Sequence, residues 1–579
     1  MSFGALKERL VLRDAAGNAA SAWINDDIRP LSPEKRLWTW KTYGLYEFGI
    51  NVLFVAWTTA SSLLALGLTV GQAFACVIVG QFLTGVIGTL AVNIGAEAHV
   101  GFPVLNRLSW GMRGNWFPIL NRVVLGTTWF AIESWYGGKC IKVAIGAIWP
   151  SFYHMHNPFR ASLGMDGGDF LCWVIFLLFC LPLIYLRIEK MLIPASIVSG
   201  CVLVTCLGLL GWFVNQAGGG GILLSQPTHF SGVPLLQGSA LAWQIVLGIT
   251  TQISSTAQGI LGFADWGRYA KGPHHSRLPF FMGSFVGTTF VATIGLICSS
   301  CAATIWPDVE ELLWNPALIL YNIQLHGSSA ARAGVFFGAI AFVLSQYMLT
   351  VTACNLIGGL DLSGVLPKYI NIRRGAMIVF VVGCVMQPWS LLSGANKFLT
   401  VMSSYGIFLA PLTGIMHADY YCLRKRKIAL SDMYTPNEAS AFWYWHGVNW
   451  RAIVAFCLGQ AFLYPGFVAR VQGTTVSLDP GWLHLYYLSY PFGYIVSGFL
   501  YWAASLIFPP PRVGAVDEYD IYGTFGPAEI DATGRTYDQQ IGDSSKLVAP
   551  NRLAHSMEDA KDEEDAKMGP QSVVVVNEL

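Results

Sequence analysis

The sequence predicts an all-α membrane protein with twelve transmembrane helices, and three observations carry that expectation. Hydrophobic residues make up 54% of the 579-residue chain and charged residues only 12%, about half of the charged share of soluble domains. Apolar runs of about 20 residues, the length needed to cross a hydrocarbon core of about 30 Å, recur from residue 44 to residue 508. Lys and Arg are unevenly divided between alternate loops, the bias that orients membrane proteins.

Residues 1–42 are polar and mixed in charge and read as a cytosolic arm ending on the interfacial Trp38 and Trp40. No signal-peptide core is expected here, so the first span should insert the protein. Spans are expected at about 44–69, 72–93, 122–149, 169–187, 191–214, 238–262, 280–305, 333–358, 375–394, 398–420, 446–468 and 483–508. The LTVGQ stretch between the first two is a tight turn, and 94–121 reads as a long polar–apolar loop. The loops on the N-terminal side carry most of the basic residues, among them Arg107, Arg113, Lys271, Arg424, Lys425 and Arg426. The opposite loops carry Lys139, Lys142, Arg160, Arg332, Lys397 and Arg470. Both termini are therefore expected in the cytoplasm, as the even span count also requires. Residues 509–579 contain PPPR, DEYDIYGTF and MEDAKDEEDAKM and read as a disordered cytosolic tail. Lys561 and Lys567 could accept ubiquitin from a ligase, and the termini could meet trafficking factors; a solvated tail with no special task fits the same composition.

The stretch Arg122 to Trp149 is the centre of the functional reading, because it places Glu133 near the middle of a membrane-length apolar helix. A charged side chain there costs roughly 2.5–3.5 kcal/mol on insertion scales, so it must face protein, water or a ligand rather than lipid. At 3.6 residues per turn, Gly126, Trp129, Glu133 and Gly137 share one stripe, which sets a flat ring one turn from a carboxyl. That is a pocket wall; a structural carboxyl bonded to a neighbouring helix, with Trp129 as packing, satisfies the same pattern.

Two further spans look interrupted. The first opens YGLYEFGINVLF, with Gly44, Gly49 and Asn51, and the sixth carries Ser254, Ser255, Thr256, Gln258, Gly259 and Gly262 in a row unsuited to a lipid-facing helix. The eighth span carries Thr350, Thr352, Cys354, Asn355 and Asp361. Transporters commonly bind solute at the midplane between such broken helices in corresponding halves. If spans 1–5 and 6–10 are two repeats, their odd length inverts one relative to the other, and span 3 corresponds to span 8. Hydroxyls bonded back to their own helix carbonyls are the alternative for each Ser and Thr.

Other classes find little support. A net charge of +1 offers no broad electrostatic attraction to nucleic acid. Most of the twelve cysteines lie inside apolar runs as small hydrophobes, and Cys298-Ser-Ser-Cys301 has neither a second pair nor a nearby His to complete a zinc site. No phosphate loop, paired catalytic acids or Ser-His-Asp order stands out, so no enzyme and no cofactor is expected.

The motifs His99-Val-Gly-Phe-Pro-Val-Leu-Asn-Arg-Leu-Ser-Trp-Gly111, Trp129-x-x-x-Glu133-x-x-x-Gly137-Gly138 and Asp265-Trp-Gly-Arg-Tyr-Ala-Lys271 occur in order. Leu366-Pro-Lys-Tyr-Ile-Asn-Ile-Arg-Arg-Gly375, Leu409-Ala-Pro-Leu-Thr-Gly-Ile-Met416, Asp419-Tyr-Tyr421 and Trp443-Tyr-Trp-His-Gly-Val-Asn-Trp-Arg-Ala-Ile453 follow. Together they resemble the fungal Fur-type branch of nucleobase:cation symporter family 1, over roughly residues 25 to 526. The resemblance implies a LeuT-type five-plus-five inverted repeat, at about 43–215 and 237–420, with two additional helices at about 446–508. It implies alternating access and cation-coupled uptake of a small heterocycle such as uracil, allantoin, a nucleoside or thiamine. It also assigns Trp129 to stacking on the flat solute. Where the family usually has a hydrogen-bonding Gln four positions on, this chain has Glu133. The family's span-8 Asn pair falls on Thr350 and Cys354, with Asn355 one position off, and its sodium ligands would lie near Met348 and Leu349.

The expected function is thus a multi-pass plasma-membrane importer of a nucleobase, nucleoside, allantoin or ring-containing vitamin by cation symport, with H+ preferred over Na+. Trp129, Glu133, Ser255, Thr256, Gln258, Cys354 and Asn355 are the candidate substrate contacts, and Glu133 doubles as the candidate coupling group. A non-transporting nutrient sensor, or an amino-acid or polyamine carrier of the same architecture, stands as the alternative.

Overall fold

In the computed structural model, residues 20–160, 163–186, 192–227, 236–392, 394–473 and 478–517 are described, with residue 8 and residues 10–13. The expected tail beyond 517, with Lys561 and Lys567, lies outside the described residues. The described residues contain helices, turns and two isolated bridges, Trp38 with Ala270 and Trp445 with Val448, but no strand.

A helix occupies each segment expected to span. By length and apolar character alone, however, five helices among the described residues suffice to cross a membrane, or up to seven if each of two bent pairs is one span. The helix holding Glu133 is not among them, because its 33 residues also carry Arg122, Lys139 and Lys142. Polar residues that mark a function lower the very signal by which a span is recognised.

The chain begins with α1 (Trp40–Asn51) and α2 (Phe54–Ser61), the latter continued by a tighter turn to Leu66; the pair bends by 53° across Val52 and Leu53. Two side chains hold the break. Asn51 Nδ2 turns back to the Glu47 carbonyl at 2.7 Å, and the Phe54 N–H, left without a helical acceptor, donates to Ser345 Oγ at 3.2 Å. The turn to α3 (Val70–Ala98) uses Gly67 at φ +80° and a reciprocal cap between Thr69 and Gln72. The stretch read as a long loop is mostly helical: α3 runs on to Ala98, α4 (Phe102–Trp110) follows, and α5 (Trp116–Ile148) starts six residues before the expected Arg122. All nine residues of α4 are buried, so tertiary packing sustains a helix whose local pattern is too short to announce itself.

Next come α6 (Gly167–Leu183), α7 (Leu192–Ala217), α8 (Gly238–Ser255), α9 (Ala257–Gly262) and α10 (Arg277–Ile305). α8 stops at Thr256, where φ −103° and ψ 2° interrupt the helix. After α11 (Pro316–His326), α12 (Ser329–Leu349) widens into a π-helical stretch over Thr350–Leu356 and resumes as α13 (Ile357–Val365). The rest comprises α14 (Ile372–Cys384), α15 (Ala395–His417), α16 (Trp450–Ala461), α17 (Tyr464–Gln472), α18 (Pro480–Tyr487) and α19 (Ser489–Ile507). α5 packs against α6, α12, α13 and α14, while α10 packs against α1, α2, α3 and α7. α3 crosses the segment Ala264–Gly267 in backbone contact: a Cβ on Gly95 would lie 2.3 Å from the Ala264 carbonyl oxygen.

The N-terminal arm is docked across these elements. Asn25 Nδ2 donates to the Pro367 and Ile370 carbonyls at 3.1 and 3.0 Å, and Arg268 Nη1 donates to the Asp27 carbonyl at 3.0 Å. Arg107 joins the Trp23 and Met433 carbonyls at 3.0 and 2.8 Å, and burial pulls its guanidinium down to about 10.

Candidate functional site

The interruptions in α1–α2, α8–α9 and α12–α13 converge on α5, and a cavity of about 170 Å³ opens between them. Trp129 and Glu133 of α5, Ser255, Thr256 and Gln258 at the α8–α9 break, and Cys354 of the π stretch all line it. Arg122 also lines it, with Tyr46, Glu47 and Asn51 of α1, Thr288 of α10, and Phe263 and Trp266. An engineered protein cavity of roughly 150 Å³ holds a benzene ring, so this one accommodates a single flat ring in the present conformation.

Both readings of Glu133 hold in part. Its side chain lines the cavity, and its Oε2 also accepts a 2.6 Å hydrogen bond from Gln346 Nε2 of α12. Gln346 binds the Glu133 carbonyl as well, at 3.1 Å, so the amide clasps both ends of one residue and fixes the carboxyl's orientation. One carboxyl oxygen is left for another partner. Of the stripe's small residues, Gly126 admits the amide of Gln258, and Gly137 admits the ring of Phe176.

Asn355 is not among the lining residues. It is fully buried, with Nδ2 directed at Cys180 Sγ of α6 at 3.9 Å. The physical reason is the π-helical stretch, whose wider turn rotates successive side chains by less than an α-helix does, so that Ala353 and Cys354 face the cavity instead. At the α8–α9 break, Ser255 Oγ bonds back to the Gln252 carbonyl at 2.8 Å, the local alternative open to any helical hydroxyl. Gln258 differs: its Nε2 is buried at the cavity edge without a partner among the described residues, a donor waiting for an acceptor.

Two groups were not singled out from the sequence. Arg122 reaches Asp265 Oδ2 and Asp361 Oδ1 with one Nη1 at 2.9 Å each, and donates Nε to the Gln258 carbonyl at 3.2 Å. This buried clamp ties α5 to α13 and to the segment after α9. Asp265 Oδ1 also caps the Phe102 N–H at 2.8 Å. Space for the guanidinium depends on Gly262, where a Cβ would lie 1.7 Å from Arg122 Nη2. The other is Glu47 of α1, a buried acid in an apolar span, and the rule that flagged Glu133 applies to it equally.

Residues 30–493 match the family model described as permease for cytosine/purines, uracil, thiamine, allantoin. The transporter aclS of Aspergillus oryzae is 31% identical over 600 aligned residues, which cover 94% of this chain and 96% of that protein. The allantoin permease of Saccharomyces cerevisiae is 27% identical, covering 84% of this chain and 76% of its own length. A thiamine transporter of the same yeast is 28% identical, covering 94% and 90%. Among solved structures, Mhp1 in a closed conformation with bromovinylhydantoin bound has a TM-score of 0.66 at 19% identity, covering 84% of this chain and 97% of that one; it shows the fold. With the family model spanning most of the sequence and a 31%-identical relative covered almost end to end, this chain belongs to the nucleobase:cation symporter family, in its Fur-type branch, and is a membrane permease rather than an enzyme.

Proposed function

We propose that the protein imports a small heterocyclic solute across the plasma membrane by proton symport, with both termini in the cytoplasm. The architecture proposed with it is twelve spans, with inverted repeats over about 43–215 and 237–420 and two additional helices over about 446–508. Trp129 stacks on the solute, the free oxygen of Glu133 accepts from a ring N–H, and Gln258 donates to a ring carbonyl or nitrogen. The supporting observation is the enclosure of Trp129, Glu133 and Gln258 in one ring-sized cavity at the meeting point of three interrupted helices. The names of the relatives, permeases for allantoin, uridine, uracil and thiamine, agree with a flat heterocycle as cargo.

Base-on-aromatic stacking contributes about 1–3 kcal/mol and tolerates many rings. Trp129→Ala should therefore reduce uptake by about 5- to 150-fold while the protein still reaches the cell surface. The test is uptake of a radiolabelled panel (uracil, allantoin, uridine, cytosine, thiamine) at two pH values, with and without sodium. Accumulation of no member of the panel by correctly delivered protein would point to a sensor and end the proposal. Sodium-dependent, pH-independent uptake would end its proton component.

A further inference from the structure

We infer that Gln346, which lies behind Glu133, is a positioning residue for transport: its amide holds Oε2 of Glu133 so that Oε1 alone meets the solute, with whatever proton the acid carries. This rests on reading the cavity as the transport site. Gln346 is fully buried in α12, one turn before the π-helical stretch, and is not among the lining residues. Its Nε2 donates to the Glu133 main-chain oxygen at 3.1 Å and to Oε2 at 2.6 Å. A main-chain carbonyl can only accept, so the end of the amide that faces Glu133 must be its nitrogen. That nitrogen carries hydrogens and has nothing to accept with, so Oε2 must accept as well. The same holds for the carboxylate and for the carboxylic acid. Any proton on Glu133 therefore sits on Oε1, the oxygen that Gln346 leaves free.

Among the described residues the Gln346 side chain bonds to Glu133 and to nothing else, and its own Oε1 is buried there with no partner. An orphaned buried acceptor lowers stability, and an apolar side chain of the same shape would pack α12 against α5 without that cost. What the amide does to Glu133 explains its presence. A free carboxyl on a flexible stem samples several orientations and must give them up when a solute binds. The clasp imposes one orientation beforehand, so less is lost on binding. The cargo then meets a single oxygen at a fixed place, an acceptor when ionised and a donor when protonated, one helical turn from Trp129.

The experiment is a double-mutant cycle on the full-length protein in cells. Uptake of radiolabelled uracil, allantoin, uridine, cytosine and thiamine is resolved into KM and maximal rate, with surface delivery measured for every variant. Gln346→Met keeps the length of the side chain and removes its donors. It should raise KM about three- to tenfold at an unchanged maximal rate, the effect of one pre-set hydrogen bond. In a Glu133→Ala background the same substitution should change KM by less than about twofold, because the group it acts through is gone. Equal factors in the two backgrounds, or a fall in maximal rate at constant KM, would mean packing rather than positioning and overturn the inference. Gln346→Asn keeps an amide but draws it back by one methylene, so it should reproduce the Met phenotype, and it carries the cycle if the Met variant is not delivered. A wild-type KM in the Asn variant also overturns the inference. Trp129→Ala separates the two readings: a raised KM there beside an unchanged KM in Gln346→Met sinks this inference alone. No effect of either substitution, or uptake of none of the probes, removes the transport-site reading with it.

Discussion

The buried clamp beside the cavity offers the sharpest test of how the fold is held. Replacing Arg122 with Met keeps most of the side chain's volume but removes the cation between Asp265 and Asp361. Asp265 would keep one bond, from the Phe102 N–H, whereas Asp361 has no other partner among the described residues: its Oδ2 is already unsatisfied, and its Oδ1 would become so. All three side chains are at most 3% exposed, so water cannot substitute. Breaking a buried ion pair from one side costs about 3–5 kcal/mol, because the stranded charge and not the lost attraction dominates. In a protein of this size that should lower the melting temperature by at least about 3 °C, read by tryptophan fluorescence on the detergent-solubilised protein. Arg122→Met combined with Asp361→Leu should recover part of the loss, since one stranded charge is removed with its partner. Arg122→Lys should fall between, as an ammonium lacks the planar fork that serves two carboxylates and a carbonyl together. An Arg122→Met protein melting within about 1 °C of wild type would refute the clamp as a stabilising element.

Other outcomes follow from the same physics. Gly95→Ala places a methyl carbon against the Ala264 carbonyl, where the neighbour is backbone that cannot rotate away, and should destabilise by about 1–3 kcal/mol, measured as a lower melting temperature. Asp166 caps α6 and pairs with Lys142; burial raises its carboxyl, but the Lys142 ammonium and the Asp169 N–H outweigh it and hold it below the ordinary carboxylate range. A depressed acid stabilises the fold above its unfolded value of about 3.9 and loses that contribution as pH falls through the folded value, so the melting difference between wild type and Asp166→Asn should be present at pH 7 and close below about pH 4. Asn25→Ala removes both bonds from the arm to the Pro367–Ile370 turn and should speed proteolytic cleavage within residues 20–37, with the transmembrane helices still intact.

The sequence by itself determined the class of protein and pointed to the acid and indole of its candidate site. Apolar runs of membrane length, and an acid and an indole one turn apart on such a run, are local facts that no packing can undo, because lipid excludes an unpaired charge wherever the chain folds. The polar interruptions near Asn51, Thr256 and Thr350 were equally visible, and each lies at or beside a break or widening of its helix. The tertiary structure alone decided which polar groups share a cavity. Cys354 faces it and Asn355 does not, because a widened turn changes the helical phase that a regular period assumes. Arg122, Asp265 and Asp361 lie 143 and 239 residues apart along the chain, and only packing makes them one clamp. Glu47 was visible as a charge in an apolar stretch, but that its carboxyl has no partner among the described residues is a property of everything packed around it. A sequence can say that a buried charge needs company; the fold decides whether the protein or its cargo provides it.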